Sequence, residues 1–191
     1  MKLKNYSATL LGTLAARIDR LFKPRKAVVL DNALGLINEH GIESLFVDPA
    51  STHLPFGNRY LLIQRGASGY QYGDLCAGGA GGNLPLGPSS DSPYAIGDVM
   101  SVRRLGARPG LEMGIGATGL AITIDHLLVS AASGCVQDIT TLTSNGQYWV
   151  VGRAAATVSS TASLLEVPYV PCDPFLITNT GGTITYYANP S

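Results

Sequence analysis

The sequence predicts a mainly β protein: an antiparallel β-barrel or β-sandwich body behind an N-terminal extension with one amphipathic helix. Three observations carry this. Glycine and proline are frequent, at 23 and 11 residues, and break the chain into short pieces. From Arg59 onward the apolar runs are short and rich in β-branched and aromatic residues, as in RYLLIQR, QYWVVGR and TITYYA. Residues 8–22 show helical periodicity.

In that segment Leu11, Leu14, Ala15, Ile18, Leu21 and Phe22 recur at three- and four-residue steps and share one face, and Pro24 ends the pattern. A helix this short needs a surface for its apolar stripe. Residues 27–58 are mixed: AVVL is strand-like, and NALGLINEHGIESLFV reads as a short helix and a strand, broken at Gly41. DPASTHLPFGN is a loop by composition, so the domain boundary is set there: residues 1–58 form the extension and 59–191 the body.

Within the body, GLAITIDHLLVSA alternates, placing Leu120, Ile122, Ile124, His126 and Leu128 on one face. Asn179-Thr180-Gly181-Gly182 between two apolar runs signals a hairpin. Pro168 and Pro171 cannot donate to a ladder, so SLLEVPYVP lies at a sheet edge or is leaving the sheet. Val167 and Tyr169 are therefore candidate contacts for another chain. No clear internal repeat is legible.

Charge is unevenly spread. Lys2, Lys4, Arg17, Arg20, Lys23, Arg25 and Lys26 face only Asp19 in the first 26 residues, and no lysine follows Lys26. A basic leader on an acidic body suits an acidic protein surface; nucleic acid is disfavoured, because the body would repel phosphate. Candidate contacts in the leader are Lys2, Lys4, Leu11, Leu14, Ile18, Arg20, Leu21 and Phe22. The leader mimics a signal peptide, but Arg17 interrupts its apolar core and export is not expected. No apolar run reaches the roughly 18 residues of a membrane-spanning helix.

Chemical motifs are weak. Gly114–Gly119, GIGATG, fits the dinucleotide fingerprint in letters, but Pro109 and Gly110 precede it and LAITIDHLL follows, so strand and helix are both missing. CAGGAGGNL has no Lys-Ser/Thr after it and reads as a flexible loop. Asp125 and His126 point to opposite faces of a strand, which argues against a catalytic pair. Cys76, Cys135 and Cys172 are widely spaced and read as reduced thiols, with no metal-ligand spacing to the three histidines. Tyr70 with Tyr72, and Tyr148 with Val150, read as core or interface pairs rather than base-stacking platforms. No catalytic, cofactor or metal residue is expected.

PYAIGDVMSV, then GLAITIDHLLVSAASGCVQDI, then GQYWVVGRAAATVSSTASLLEVPYVPCDPF resemble, in order, segments of tailed-bacteriophage capsid decoration (cement, or head-fibre-like) proteins. The resemblance spans residues 93–178; the first sixty residues match nothing in that family. It implies a virion protein made in the host cytoplasm and bound to the outer capsid surface. Its partners would be the major capsid protein and its own copies, as a homotrimer at three-fold or quasi-three-fold positions. It implies no cofactor and no enzymatic activity. The alternatives are a tail or head-fibre component and, from another class, a β-barrel ligand-binding protein or hydrolase using His126.

Overall fold

Short apolar runs cut by glycine, proline and Asx turns give short strands, and the order in which they pair sets the architecture. The computed structural model describes residues 41–52, 60–78, 82–89, 94–106, 113–160 and 165–187. The helix expected over residues 8–22 and the whole basic leader lie outside them.

The first sheet holds β1 (Ile42–Val47), β2 (Leu62–Arg65), β3 (Tyr72–Leu75), β4 (Pro85–Pro88) and β5 (Val99–Arg103), in the order β4-β2-β3-β1-β5. Only β1 and β3 are parallel. An antiparallel bridge between Ser89 and Val102 joins the two outer strands, and the Leu105 amide donates to the Leu86 carbonyl at 2.8 Å. The sheet is thereby closed into a ring. Gly87 permits the closure: a Cβ there would overlap the Arg103 carbonyl, and its φ of +151° suits glycine.

The second sheet holds β6 (Met113–Ala117), β7 (Leu127–Ser130), β8 (Val136–Asp138), β9 (Gly146–Ala154), β10 (Leu165–Thr180) and β11 (Thr183–Tyr186). Its order is β11-β10-β6-β8-β7-β9, and β9 also pairs with β10. Strands β6 to β10 thus form a second closed ring, in which only β6 and β8 are parallel. The rings share one topology. The first runs β1-β3-β2-β4-β5 and back to β1; the second runs β6-β8-β7-β9-β10 and back to β6. In each, the first and third strands are the parallel pair. The chain is mainly β, and its body repeats one five-stranded ring topology in tandem.

Each ring has its own core. Leu45, Val47, Ile63, Leu75, Met100 and Val102 fill the first. Ile115, Ala117, Leu128, Val136, Val151 and Tyr169 fill the second. The cores interlock: Ala131 and Cys135 from the β7–β8 loop pack in the first cluster, and Leu62, Cys76 and Leu105 pack in the second. Backbone bonds from Gly116 to Tyr60, Gly78 to Ala131 and Gly134 to Cys76 tie the rings together. The Trp149 indole donates to the Gly82 carbonyl at 3.1 Å, fastening β9 to the glycine-rich connection before β4.

Several expectations need correction. Ile42–Val47, assigned by sequence to the extension ending at residue 58, is an interior strand of the first ring, because Leu45 and Val47 belong to its core. The single alternating strand expected over GLAITIDHLLVSA is shortened to Leu127–Ser130. Asp125 takes φ +66° and the His126 amide bonds Thr123 O, so the chain turns there. Leu120 and Ile124 are exposed while Ile122 is buried. Val167–Pro171 is not a sheet edge. Leu165–Tyr169 pairs with β6 and Tyr169–Pro171 with β9, so the prolines mark the point where β10 passes from one neighbour to the other. The hairpin stands as read: Gly181 (φ +59°) and Gly182 (φ +86°) form its two-residue turn.

Candidate docking surface and the His126–Asp138 pair

The residues proposed from sequence as contacts divide in two. Lys2, Lys4, Leu11, Leu14, Ile18, Arg20, Leu21 and Phe22 lie outside the described residues. Val167 and Tyr169 are both 0% exposed and project into the second core, so they offer a partner no side chain. Period-two alternation along β10 puts both on the inner face, Val167 opposite Ile115 of β6 and Tyr169 between Met113 of β6 and Ala154 of β9.

The large apolar side chains that reach solvent among the described residues are Tyr70, Leu84, Ile96, Val99, Leu120, Ile124, Tyr186 and Tyr187. They are spread over both rings. Ile96 sits in a turn held by the Ala95 amide on the Asp98 carboxylate at 2.7 Å. Tyr70 carries the Arg65 guanidinium over its ring at 3.8 Å and is not paired with Tyr72, which faces Phe46 at 6.1 Å. A groove of about 550 Å³ lies where β10 bulges between Pro171 and Phe175. Leu127, Val170, Pro171, Phe175 and Tyr186 give it apolar walls, with Arg153 and Cys172 at its margin.

One polar constellation was missed by sequence. Asp138 ends β8, which pairs with β7 so that Asp138 stands opposite Leu128, near His126. Its carboxylate is 2.9 Å from His126 Nδ1 and accepts from the Thr123 amide, the Thr140 amide and the Thr140 hydroxyl. Burial pushes this carboxyl up, but the Thr123 and Thr140 bonds and His126 outweigh that and hold it below the usual carboxylate range. Asp138 is 1% exposed, whereas the His126 side chain is 38% exposed. The imidazole is thus anchored on one nitrogen and open on one side. Asp125, its sequence neighbour, turns instead toward Arg153, whose guanidinium donates to the Asp125 carbonyl. The only sequence signal was an acid twelve residues downstream of a histidine across a turn, which no motif marks.

Two other buried carboxylates are likewise engaged. Asp48 accepts from the Ala50 amide and from Ser68. Glu43 meets Arg65 at 2.5 Å and Arg104 at 3.4 Å. Gly114–Gly119 enters the second ring as β6 and then bends without a helix, so the dinucleotide geometry is not formed. Among the described residues no group of three or more His, Cys, Asp or Glu is placed to hold a metal, and no helix is long and apolar enough to cross a membrane. No protein-family model, curated protein or solved structure matches the chain.

Proposed function

We propose that this protein is a structural component of a phage virion, bound to the outer surface of the capsid lattice and stabilising it, with the major capsid protein and its own copies as partners. The observation that carries the reading is the division of labour on the body. The buried carboxylates Asp48, Asp138 and Glu43 are spent on internal bonds, while apolar side chains such as Ile96, Val99, Leu120 and Ile124 face outward over both rings. Such a surface suits adhesion, where contact area is gained over a wide front. The sequence resemblance over residues 93–178 supports the same role. Two fused rings also present two surfaces at fixed separation, and linked weak contacts gain by effective concentration.

The test is add-back to particles lacking the protein. Co-sedimentation with intact capsids and a raised particle melting temperature are expected. Failure to sediment overturns the reading, and labelling at the tail rather than the head would move it to a tail or fibre component. Removing residues 1–24 should leave a folded body that decorates poorly; equal decoration would remove the leader from the contact set.

A second reading, a hydrolytic or ligand-binding β-barrel, draws on the oriented His126 imidazole. Turnover of a small ester or amide by the purified protein, abolished in His126→Ala with particle stability unchanged, would replace the first reading.

A further inference from the structure

Neither ring uses β11. Each ring closes with five strands, and the far half of β10, still paired with β9, carries β11 as a hairpin without a counterpart among the described residues of the first. Strand β11 bonds only to β10, so its other side is a sheet edge among the described residues. Proteins guard such edges with very short strands, lysine, proline or a bulge. Thr183-Ile184-Thr185-Tyr186 is short, at four residues, but has none of the others: it is uncharged, has no proline, and runs in unbroken register with β10.

Hairpin geometry decides which groups point outward. The pair flanking a two-residue turn exchanges hydrogen bonds, and the pairs alternate from there. Thr180 with Thr183 and Thr178 with Thr185 are the bonded pairs. The N–H and C=O groups of Ile184 and Tyr186 therefore face away from β10.

We propose that the β11 edge pairs antiparallel with β11 of a second copy of this chain, about a two-fold axis at Thr185. In this register Ile184 lies opposite Tyr186 of the partner subunit and Tyr186 opposite Ile184 of the partner subunit, and every outward-facing backbone group of the two residues is bonded. Self-pairing fits because the strand carries no charge, so no like charges meet across the axis. It also continues an apolar surface. Ile184 packs against the cluster of Ile177 and Val150, and Tyr186, on the same face, lines the groove with Phe175 and Val170. The partner subunit's Ile184 would stand beside Tyr186 and extend that wall. A strand pair this short lies below the roughly 1,200 Å² of a standard interface, so the association is concentration-dependent. The pairing goes beyond the capsid reading and stands without it; its two-fold symmetry also differs from the three-fold arrangement implied by the resemblance.

The test uses the free, full-length chain in sedimentation equilibrium over a concentration series, with no capsid present. A reversible monomer–dimer equilibrium is expected. Thr185 is exposed, so Thr185→Lys leaves the fold intact by circular dichroism but sets two ammonium groups face to face and yields monomer. In a Cys172→Ser background, Thr185→Cys should give a disulfide-linked dimer on mild oxidation, because Thr185 meets itself at a non-hydrogen-bonded position where side chains are closest. Thr183→Cys, off the axis, should not. A monomer at all concentrations, a trimer, or a dimer that survives Thr185→Lys without cross-linking through Thr185→Cys overturns the proposal.

Discussion

Gly152 of β9 lies flush against Val170 of β10: a Cβ at Gly152 would overlap the Val170 carbonyl oxygen. Gly87 stands in the same relation to Arg103 at the equivalent seam of the first ring. The fourth strand of each ring thus needs a hydrogen in place of a side chain where it meets the fifth. Gly87→Ala and Gly152→Ala are each expected to cost about 2–3 kcal/mol, because the obstructing atom is backbone and cannot swing aside. Gly181→Ala meets nothing within 4 Å and bears only the left-handed backbone penalty, about 1–2 kcal/mol. Denaturant midpoints of the three variants should fall in that order of damage; a harmless substitution at either seam would show that the ring does not close there.

The repeated ring explains what was legible in the sequence and what was not. Strand character, the Gly181-Gly182 turn and the prolines of β10 were readable because local chemistry dictates them. The repeat was not, because a ring core asks only for apolar volume: Leu128 serves where Ile63 does, and Val151 where Leu86 does. What the rings share is Ala67-Ser68-Gly69 against Ala132-Ser133-Gly134 after the second strand, and Gly87 against Gly152 in the fourth, at the same spacing as Leu62 and Leu127. Among 23 glycines that echo is faint. The inward turn of Val167 and Tyr169 was hidden for a related reason. Proline marks where one neighbour is lost, but the strand on the other side, β9, is set by long-range pairing.

Acid should loosen the second ring through Asp138. Its folded carboxyl sits below the ordinary value despite burial, which alone would raise it, because the Thr123 and Thr140 donors and His126 favour the charged form. A depressed folded value means the stabilisation is fully present above the unfolded value near 3.9 and is lost as pH falls through the folded one. Asp48 is shifted the same way: burial raises it, and the bonds from Ser68 and Ala50 more than offset that. Urea midpoints should be flat from neutral pH to about pH 5 and then decline. Asp138→Asn should lower the neutral midpoint and shorten the acid decline, leaving the part due to Asp48. An unchanged acid limb in Asp138→Asn would contradict this.

The thiols should react in a fixed order. Burial pushes Cys76 up to about 12 and Cys135 up to about 11, and both side chains are packed between the rings. Cys172 is raised as well, by burial first and then by the neighbouring Asp173, but it is only half-buried at the margin of the groove. In native protein near pH 8 an alkylating reagent should modify Cys172 first, with Cys76 and Cys135 protected until the fold opens. Mass spectrometry of a labelling time course checks the order. Native-state labelling of Cys76 as fast as Cys172 would mean that the interlock between the rings opens readily.

Glu43 tests how the first ring tolerates a buried charge. Its carboxylate is 0% exposed, 2.5 Å from Arg65 and 3.4 Å from Arg104. Arg65 is the better-placed partner. Its guanidinium also donates to the Tyr70 carbonyl and lies over the Tyr70 ring, so it is fixed before it meets the carboxylate. Arg104 is farther and its Nη1 makes no hydrogen bond. Arg65→Met should therefore cost about 3 kcal/mol by leaving a buried carboxylate short of its main counter-charge, and Arg104→Met clearly less. Replacing both ends, Glu43→Leu with Arg65→Met, should recover part of the loss, since the buried carboxylate goes with its main counter-charge and only Arg104, a quarter exposed, loses a partner. A double-mutant cycle on thermal or urea unfolding measures the coupling. Strict additivity would show that the two side chains act independently, and that the Arg65 guanidinium's contacts with Tyr70 are what stabilise the ring at this point.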